Sequence, residues 1–486
     1  MPGSSRREFL KQAAGGAAAS LFAPALLAAA ESGDVPAPPA KRPNILYMMT
    51  DDQRFDGLSI MGNAVVETPN MDRIAREGAL FENMFATNSL CAPSRASFLT
   101  GKYSHTHGVR TNYTPWTDQP VFTDYLKEAG YQIAYIGKFH QGGTVLPKKP
   151  DFWLGFTNQG QYRDPTLLDF DGRMKKEKGH VTDLLADRAI TYLTEHRKDP
   201  FCLLLWFKAP HRDWQPAERF ANLYADKKVP HPPTFDTDYA GKPQAVKDTK
   251  MQVETAKGKM PFDEWVKDYW RTVAGVDENI GRVLQTLKNL GLAENTIIVF
   301  TSDNGFFLGE HHFFDKRLMY EPSIRIPMLV RWPGRIKPGT RIREMALNVD
   351  LAPTLLDLAG VPVPADMQGA SWRPLLEGRS VPWRTSWYYE YYEYPGEHMV
   401  RPNRGVRTER WKYIEYPEFH GKSGNEKRDF PAEFELYDLA TDPDEAHNLF
   451  GDPKCAAQVE KLRADLTRLR RALADPDLPP AALPLP

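Results

Sequence analysis

Asn44–Asp52 reads NILYMMTDD, an unbroken apolar run that closes on two acids. A strand with one wet face alternates apolar and polar residues, whereas a continuous run reads as a strand buried on both faces. Three more stretches share the pattern. Tyr131–His140 (YQIAYIGKFH) carries Lys138 and His140 at its end, Phe201–His211 (FCLLLWFKAPH) runs into His211, and Thr296–Gly305 (TIIVFTSDNG) ends in Asp303 and Asn304. Helical segments lie between them: TPNMDRIAREG (68–78, with Thr68 as N-cap, Pro69 in the first turn and Gly78 at the end), FTDYLKEAG (122–130), VTDLLADRAITYLTEH (181–196) and a long helix over 263–291. Strands alternating with helices predict an α/β fold, a large, mainly parallel sheet sandwiched by helices. In open α/β sheets, ligands bind at the carboxyl ends of the strands. The sequence therefore expects Asp51, Asp52, Lys138, His140, His211, Asp303 and Asn304 along one edge.

The texture changes after about residue 375. SWYYEYYEYP, RGVRTERWKYIEY and FELYDLA are aromatic, alternating and separated by turns, which predicts a smaller antiparallel sheet, and AQVEKLRADLTRLRRALA predicts a closing amphipathic helix. The expected organisation is a catalytic domain over 44–375, a C-terminal subdomain over 376–475 and a tail over 476–486. Residues 229–260 read as an insertion bordering the cleft. Residues 1–30 hold Arg6-Arg7, a short Ala- and Gly-rich apolar stretch and Ala28-Ala29-Ala30, the pattern of a cleaved twin-arginine export signal. Residues 31–43 read as a disordered lead-in. The expectation is a soluble periplasmic or extracellular protein, handled by the twin-arginine export machinery and without stable membrane insertion. Net charge over the 486 residues is −1, so no global field argues for nucleic acid. Three cysteines, at 91, 202 and 455, make neither a disulfide framework nor a CxxC zinc site.

Cys91 opens CAPSRASFLTGK. A cysteine phosphatase places its arginine six residues after the thiolate, and Arg95 is only four on. A packed free cysteine, a Cys/His hydrolase and a modified residue remain. At the strand ends, Asp51, Asp52, Asp303 and Asn304 offer oxygen ligands to a hard divalent cation. Ca²⁺ takes about 6–8 such ligands, and Mg²⁺, with its strict octahedron, fits less well.

CAPSRASFLTGK resembles the sulfatase signature, and NILYMMTDDQ, TPNMDRIAREG, TGKYSHTHGV, GKFHQGG, TSDNGFFLGEHHFFDK and ELYDLATDPDEAHNL resemble sulfatase segments in the same order, over about residues 43–450. The resemblance implies the alkaline-phosphatase-like sulfatase fold and a formylglycine, made from Cys91 by a maturation enzyme, whose hydrate attacks sulfur and later releases the sulfate as the aldehyde returns. It implies calcium held by Asp51, Asp52, Asp303, Asn304 and the oxygen at position 91. Arg95, Lys138 and Lys316 would neutralise the sulfate, His140 would lie near the nucleophile, and His211 would protonate the leaving oxygen. Lys102, His311, His312, His398 and Arg401 are expected at the substrate, and Tyr391 and Glu393 are further candidates for a sugar wall. His105 and His107 read as structural residues or as supports behind the residues of the site. Two segments, GEHHFFDKRLMYEPSIRIPMLVRWPG and KDYWRTVAGVDENIGRVLQTL, look most like glycan sulfatases that remove the 6-O-sulfate of N-acetylglucosamine. The competing readings are a phosphoester or phosphonate hydrolase of the same superfamily and a non-catalytic glycan-binding homologue with Cys91 unmodified.

Overall fold

The computed structural model describes residues 42–140, 150–156, 158–423 and 426–476. The expected signal over 1–30, most of the lead-in and all but the first residue of the tail lie outside them.

The large sheet has ten strands: β1 (Asn44–Thr50), β2 (Ala79–Phe81), β3 (Gln132–Lys138), β4 (Phe152–Phe156), β5 (Thr166–Asp169), β6 (Met174–Lys176), β7 (Phe201–Trp206), β8 (Thr296–Ser302), β9 (Met328–Arg331) and β10 (Thr340–Ile342). Their order is β10-β2-β9-β8-β1-β7-β3-β4-β5-β6. The five central strands, β8-β1-β7-β3-β4, are parallel. Antiparallel pairing enters through β9 on one side and β5 and β6 on the other. All four acid- or cation-tipped runs are thus consecutive neighbours in the parallel centre, and parallel register sends their carboxyl ends to one edge.

Strand β1 shows why its sequence does not alternate. Leu46 and Met48 enter one core and Ile45, Tyr47 and Met49 the other, and all five are buried. Helices α1 (Pro69–Arg76), α4 (Val181–Glu195) and α5 (Phe262–Asn289) cover the first face, and α2 (Cys91–Thr100), α3 (Phe122–Glu128) and α6 (Leu351–Leu358) cover the second.

The sequence expectation for Thr68 needs correction. It sits at the N-cap position of α1, but its hydroxyl donates to Asp72 Oδ1 (2.9 Å) and caps no amide. The free amides are served from α5: Asp277 accepts from Asn70 N (3.1 Å) and Met71 N (2.8 Å). A carboxylate from another helix supplies the cap and pins α1 to α5.

After the large sheet, Ser386–Tyr391, Asn403–Thr408, Trp411–Tyr416 and Glu433–Asp438 form a four-stranded antiparallel sheet in that order, and helix Ala456–Ala472 packs on it. Trp387, Tyr389, Val406 and Leu462 join the same core as Leu46 and Met48. The small sheet therefore closes the large one rather than standing apart. No helix among the described residues is long and apolar enough to cross a membrane.

Candidate active site

The edge beyond β8, β1, β7 and β3 carries a dense group of buried charges. Asp51 and Asp52 follow β1, Asp303 and Asn304 follow β8, Lys138 ends β3, and Lys316 comes from the loop after β8; none is more than 1% exposed. Gly305 is required beside Asn304, because a Cβ there would lie 2.1 Å from the Pro322 carbonyl oxygen.

Helix α2 enters this group at its N-terminus. Cys91 is its first residue and every residue in it is buried. The four-residue spacing puts Arg95 on the same helix face as Cys91. The helix ends at Gly101, whose φ of +67° is the left-handed cap that favours glycine. Cys91 Sγ lies 3.5 Å from Asp51 Oδ1 and 3.3 Å from Lys316 Nζ. Arg95 bridges two strand ends: Nε donates to Asp303 Oδ2 (2.9 Å), Nη2 lies 3.3 Å from Asp51 Oδ2, and Nη1 donates to the Lys138 carbonyl (2.5 Å). Its guanidinium carbon stands 5.3 Å from the Trp206 ring centre. Lys138 pairs with Asp51 and also donates to Gln159, while Lys316 pairs with Asp52.

Electrostatics separates the three carboxylates. Burial pushes Asp51 up, but Lys138, His211, Arg95 and Lys316 together hold it well below the usual range. Burial dominates at Asp52 and Asp303, and both are raised. Burial, then the Asp51 carboxylate, pushes the Cys91 thiol up to about 12. Nucleophilic cysteine chemistry needs a thiolate. An unmodified Cys91 is protonated here and unsuited to a Cys/His hydrolase.

The donor set fits a hard cation. The carboxylate oxygens of Asp51, Asp52 and Asp303 lie within 4.8 Å of one another. Asp52 Oδ2 and Asn304 Oδ1 are buried and have no hydrogen-bond partner. Asn304 Nδ2 donates to Asp52 Oδ1 (2.7 Å), which leaves its oxygen free. Buried acceptors without partners are uncommon, and together with the three carboxylates these oxygens could hold a hard cation.

His211 Nε2 lies 3.8 Å from Asp52 Oδ2, and its Nδ1 meets the Arg212 carbonyl (2.7 Å). That carbonyl can only accept, so Nδ1 carries the proton and Nε2 faces the cleft. Burial, then Lys138, pull His211 well below its usual value, and the same causes in the same order act on His140. His140 has a φ of +49°, and its buried Nδ1 has no hydrogen-bond partner.

Of the residues expected at the substrate, His398 adjoins this group. Its Nε2 lies 3.0 Å from Asp315 Oδ2, beside Arg212 and Arg317, which both pair with Asp315. Arg212 also meets Glu397 (2.7 Å), and Arg317 lies 3.8 Å from Glu393. Tyr391 is buried and its hydroxyl has no hydrogen-bond partner. Lys102, His312, His311 and Arg401 contact other parts of the chain, although His311 Nδ1 and Arg401 Nε are buried without a hydrogen-bond partner. Lys102 pairs with Asp366 at the surface (2.6 Å). His312 pairs with Glu254 (2.5 Å). His311 is buried against the Tyr320 ring, 4.8 Å between centres, with its amide on Thr234. Arg401 is held by Glu433 (2.6 Å) and the Pro431 carbonyl (2.7 Å). His105 meets Glu390 (2.6 Å) and His107 meets Ser97 (3.1 Å). Sequence reading missed Gln159, Arg212, Asp315, Arg317 and Glu397. Asp315 and Arg317 flank Lys316 and could have been found from that position, but Gln159 carries no local signal.

The sulfatase family model matches residues 43–361, and a model of the C-terminal part of N-sulphoglucosamine sulphohydrolase matches 309–472. The chain is 38% identical to an N-acetylglucosamine-6-O-sulfatase of Bacteroides thetaiotaomicron, over 90% of this chain and 88% of that protein. A solved complex of a protein with its substrate D-glucosamine-2-N,6-O-disulfate matches at a TM-score of 0.83 and 38% identity, covering 90% of this chain and 99% of that one. The phosphonate monoester hydrolase of Agrobacterium radiobacter shares the fold at a TM-score of 0.73 and 23% identity, covering 89% and 96%. With the family model spanning most of the chain and the carboxylate–arginine–lysine group at the matched strand ends, the chain belongs to the sulfatase family and is a sulfuric ester hydrolase.

Proposed function

We propose that this sulfatase removes the 6-O-sulfate from a glucosamine unit of a sulfated glycan, with Cys91 converted to formylglycine and a calcium ion held by Asp51, Asp52, Asp303 and Asn304. The observation that carries the substrate is the 38% identity, over nine-tenths of the chain, to an N-acetylglucosamine-6-O-sulfatase. The calcium would neutralise the sulfate and polarise its oxygens, and the hydrated aldehyde would supply the nucleophilic hydroxyl.

The chain's own residues do the rest. Arg95 fixes Asp51 and Asp303 in place for the cation. The three carboxylates are matched by the three cations paired with them (Arg95, Lys138, Lys316), so a divalent ion held there would add net positive charge, as a sulfate ester requires. Charges already oriented before reaction lower the barrier strongly, because nothing has to reorganise as charge develops. His211 is neutral at rest with Nε2 toward the cleft. An arriving anion favours its protonated form, so substrate binding prepares the proton for the leaving oxygen. Asp315, Arg317 and His398 beside Lys316 offer hydrogen bonds to sugar hydroxyls. Export through the twin-arginine signal after cytoplasmic maturation completes the reading.

The test is sulfate release from glucosamine and N-acetylglucosamine monosulfated at O6, set against galactosamine 4- and 6-sulfates, with and without EDTA. Release confined to the glucosamine 6-sulfates supports the reading. Preference for another position or sugar overturns the substrate and leaves the family untouched.

A further inference from the structure

Lys208 lies two residues beyond β7 and is only 4% exposed. Among the described residues its ammonium has no hydrogen bond and no ion pair, and its close contact is the face of Tyr162, 4.8 Å from the ring centre. The cations at the strand ends and beside them, Arg95, Lys138, Lys316, Arg212 and Arg317, are each tied to a carboxylate. Lys208 is built into the site nonetheless. Its carbonyl accepts the His211 amide (3.0 Å), and Tyr162, on which the ammonium rests, donates its hydroxyl to the His211 carbonyl (2.7 Å). Lysine, tyrosine and histidine therefore form one closed unit.

A buried ammonium with unused donors is costly, and an aromatic face compensates only part of it. Burial and the nearby Lys138 pull Lys208 down to about 8, against the pull of Asp51 and Asp52. It remains mostly charged at neutral pH. A cation without a carboxylate, set among the residues that surround the strand ends, has donors free for an anion that arrives with the substrate.

We propose that Lys208 is a substrate-binding residue that donates a hydrogen bond to the sulfate group of the bound ester, beside Lys138 and His211. The proposal rests on reading this cleft as the sulfate pocket.

The test is calorimetric titration of the full protein, with calcium present, by inorganic sulfate, together with KM for glucosamine 6-sulfate. Lys208→Met keeps the stem and removes the charge, and Lys138→Met is the control. Loss of one charge-assisted bond is expected to weaken sulfate binding and raise KM by about 10-fold or more, with Tm unchanged. If Lys208→Met does not fold, Lys208→Gln is expected to show the same loss. Wild-type sulfate affinity in the Lys208 variant, with loss in Lys138→Met, would overturn the proposal and leave a cation held by Tyr162 for packing. Wild-type affinity in both variants would overturn the sulfate-pocket reading itself.

Discussion

Replacing Arg95 with methionine keeps an apolar stem against Trp206 and removes the guanidinium that joins the ends of β1 and β8. The partners it abandons, Asp51, Asp303 and the Lys138 carbonyl, are all buried. Removing one side of a buried ion pair costs about 3–5 kcal/mol, because the remaining charge is uncompensated. With about 2.1 cal/mol/K of unfolding entropy per residue, a chain of this length shifts its Tm by about 1 °C per kcal/mol. Arg95→Met should therefore melt about 3–5 °C below wild type in EDTA. A calcium ion would sit among the same carboxylates and supply the missing positive charge, so the deficit should shrink in millimolar calcium. Scanning calorimetry in the two buffers reads both numbers, and kcat/KM should still fall by about 100-fold or more, because the cation does not replace the lost donors. Equal melting deficits with and without calcium would overturn this expectation, for they would mean that Arg95 does not share its carboxylates with the metal.

Chelation with EDTA should abolish sulfate release, with calcium restoring it better than magnesium; equal rescue by magnesium counts against the oxygen-rich ligand set. Lys102→Ala should keep kcat/KM within about threefold, because an exposed ion pair such as Lys102–Asp366 is worth about 0–1 kcal/mol. A large loss of activity would return Lys102 to the substrate. Asp277→Ala should cost about 2–3 kcal/mol by denaturant titration, through the lost cap of α1 and its buried amides. Burial raises Asp277 from 3.8 to about 6, so the folded state holds this proton longer than the unfolded chain. Its contribution is full below about pH 4 and is lost as pH rises through 6, about 2–3 kcal/mol in all. Asp277→Asn should flatten that slope, and an unchanged slope would assign it elsewhere.

The strand ends were legible because burial on both faces writes itself as a continuous apolar run, and the polar residues that close such runs are local events. Asp51, Asp52, Lys138, His211, Asp303 and Asn304 stand where parallel register carries them. What local sequence could not reveal was which charges already have partners. Lys102 finds Asp366 and Arg401 finds Glu433 through distant folding of the chain, and His312 finds Glu254 in the insertion. Thr68 has the residue type of a cap, but Asp277, about two hundred positions away, takes the amides. Lys208 did leave a signal. It sits in FCLLLWFKAPH directly after an apolar run, where a lysine is rarely buried without cause.

The proposed chemistry turns on Cys91, and the sharpest check is a mass spectrum of the peptide spanning it, from protein matured and exported by its own host. The expected species is the aldehyde, in a fraction that rises in step with sulfatase activity across preparations. Full activity in protein whose Cys91 is entirely thiol would contradict catalysis by formylglycine.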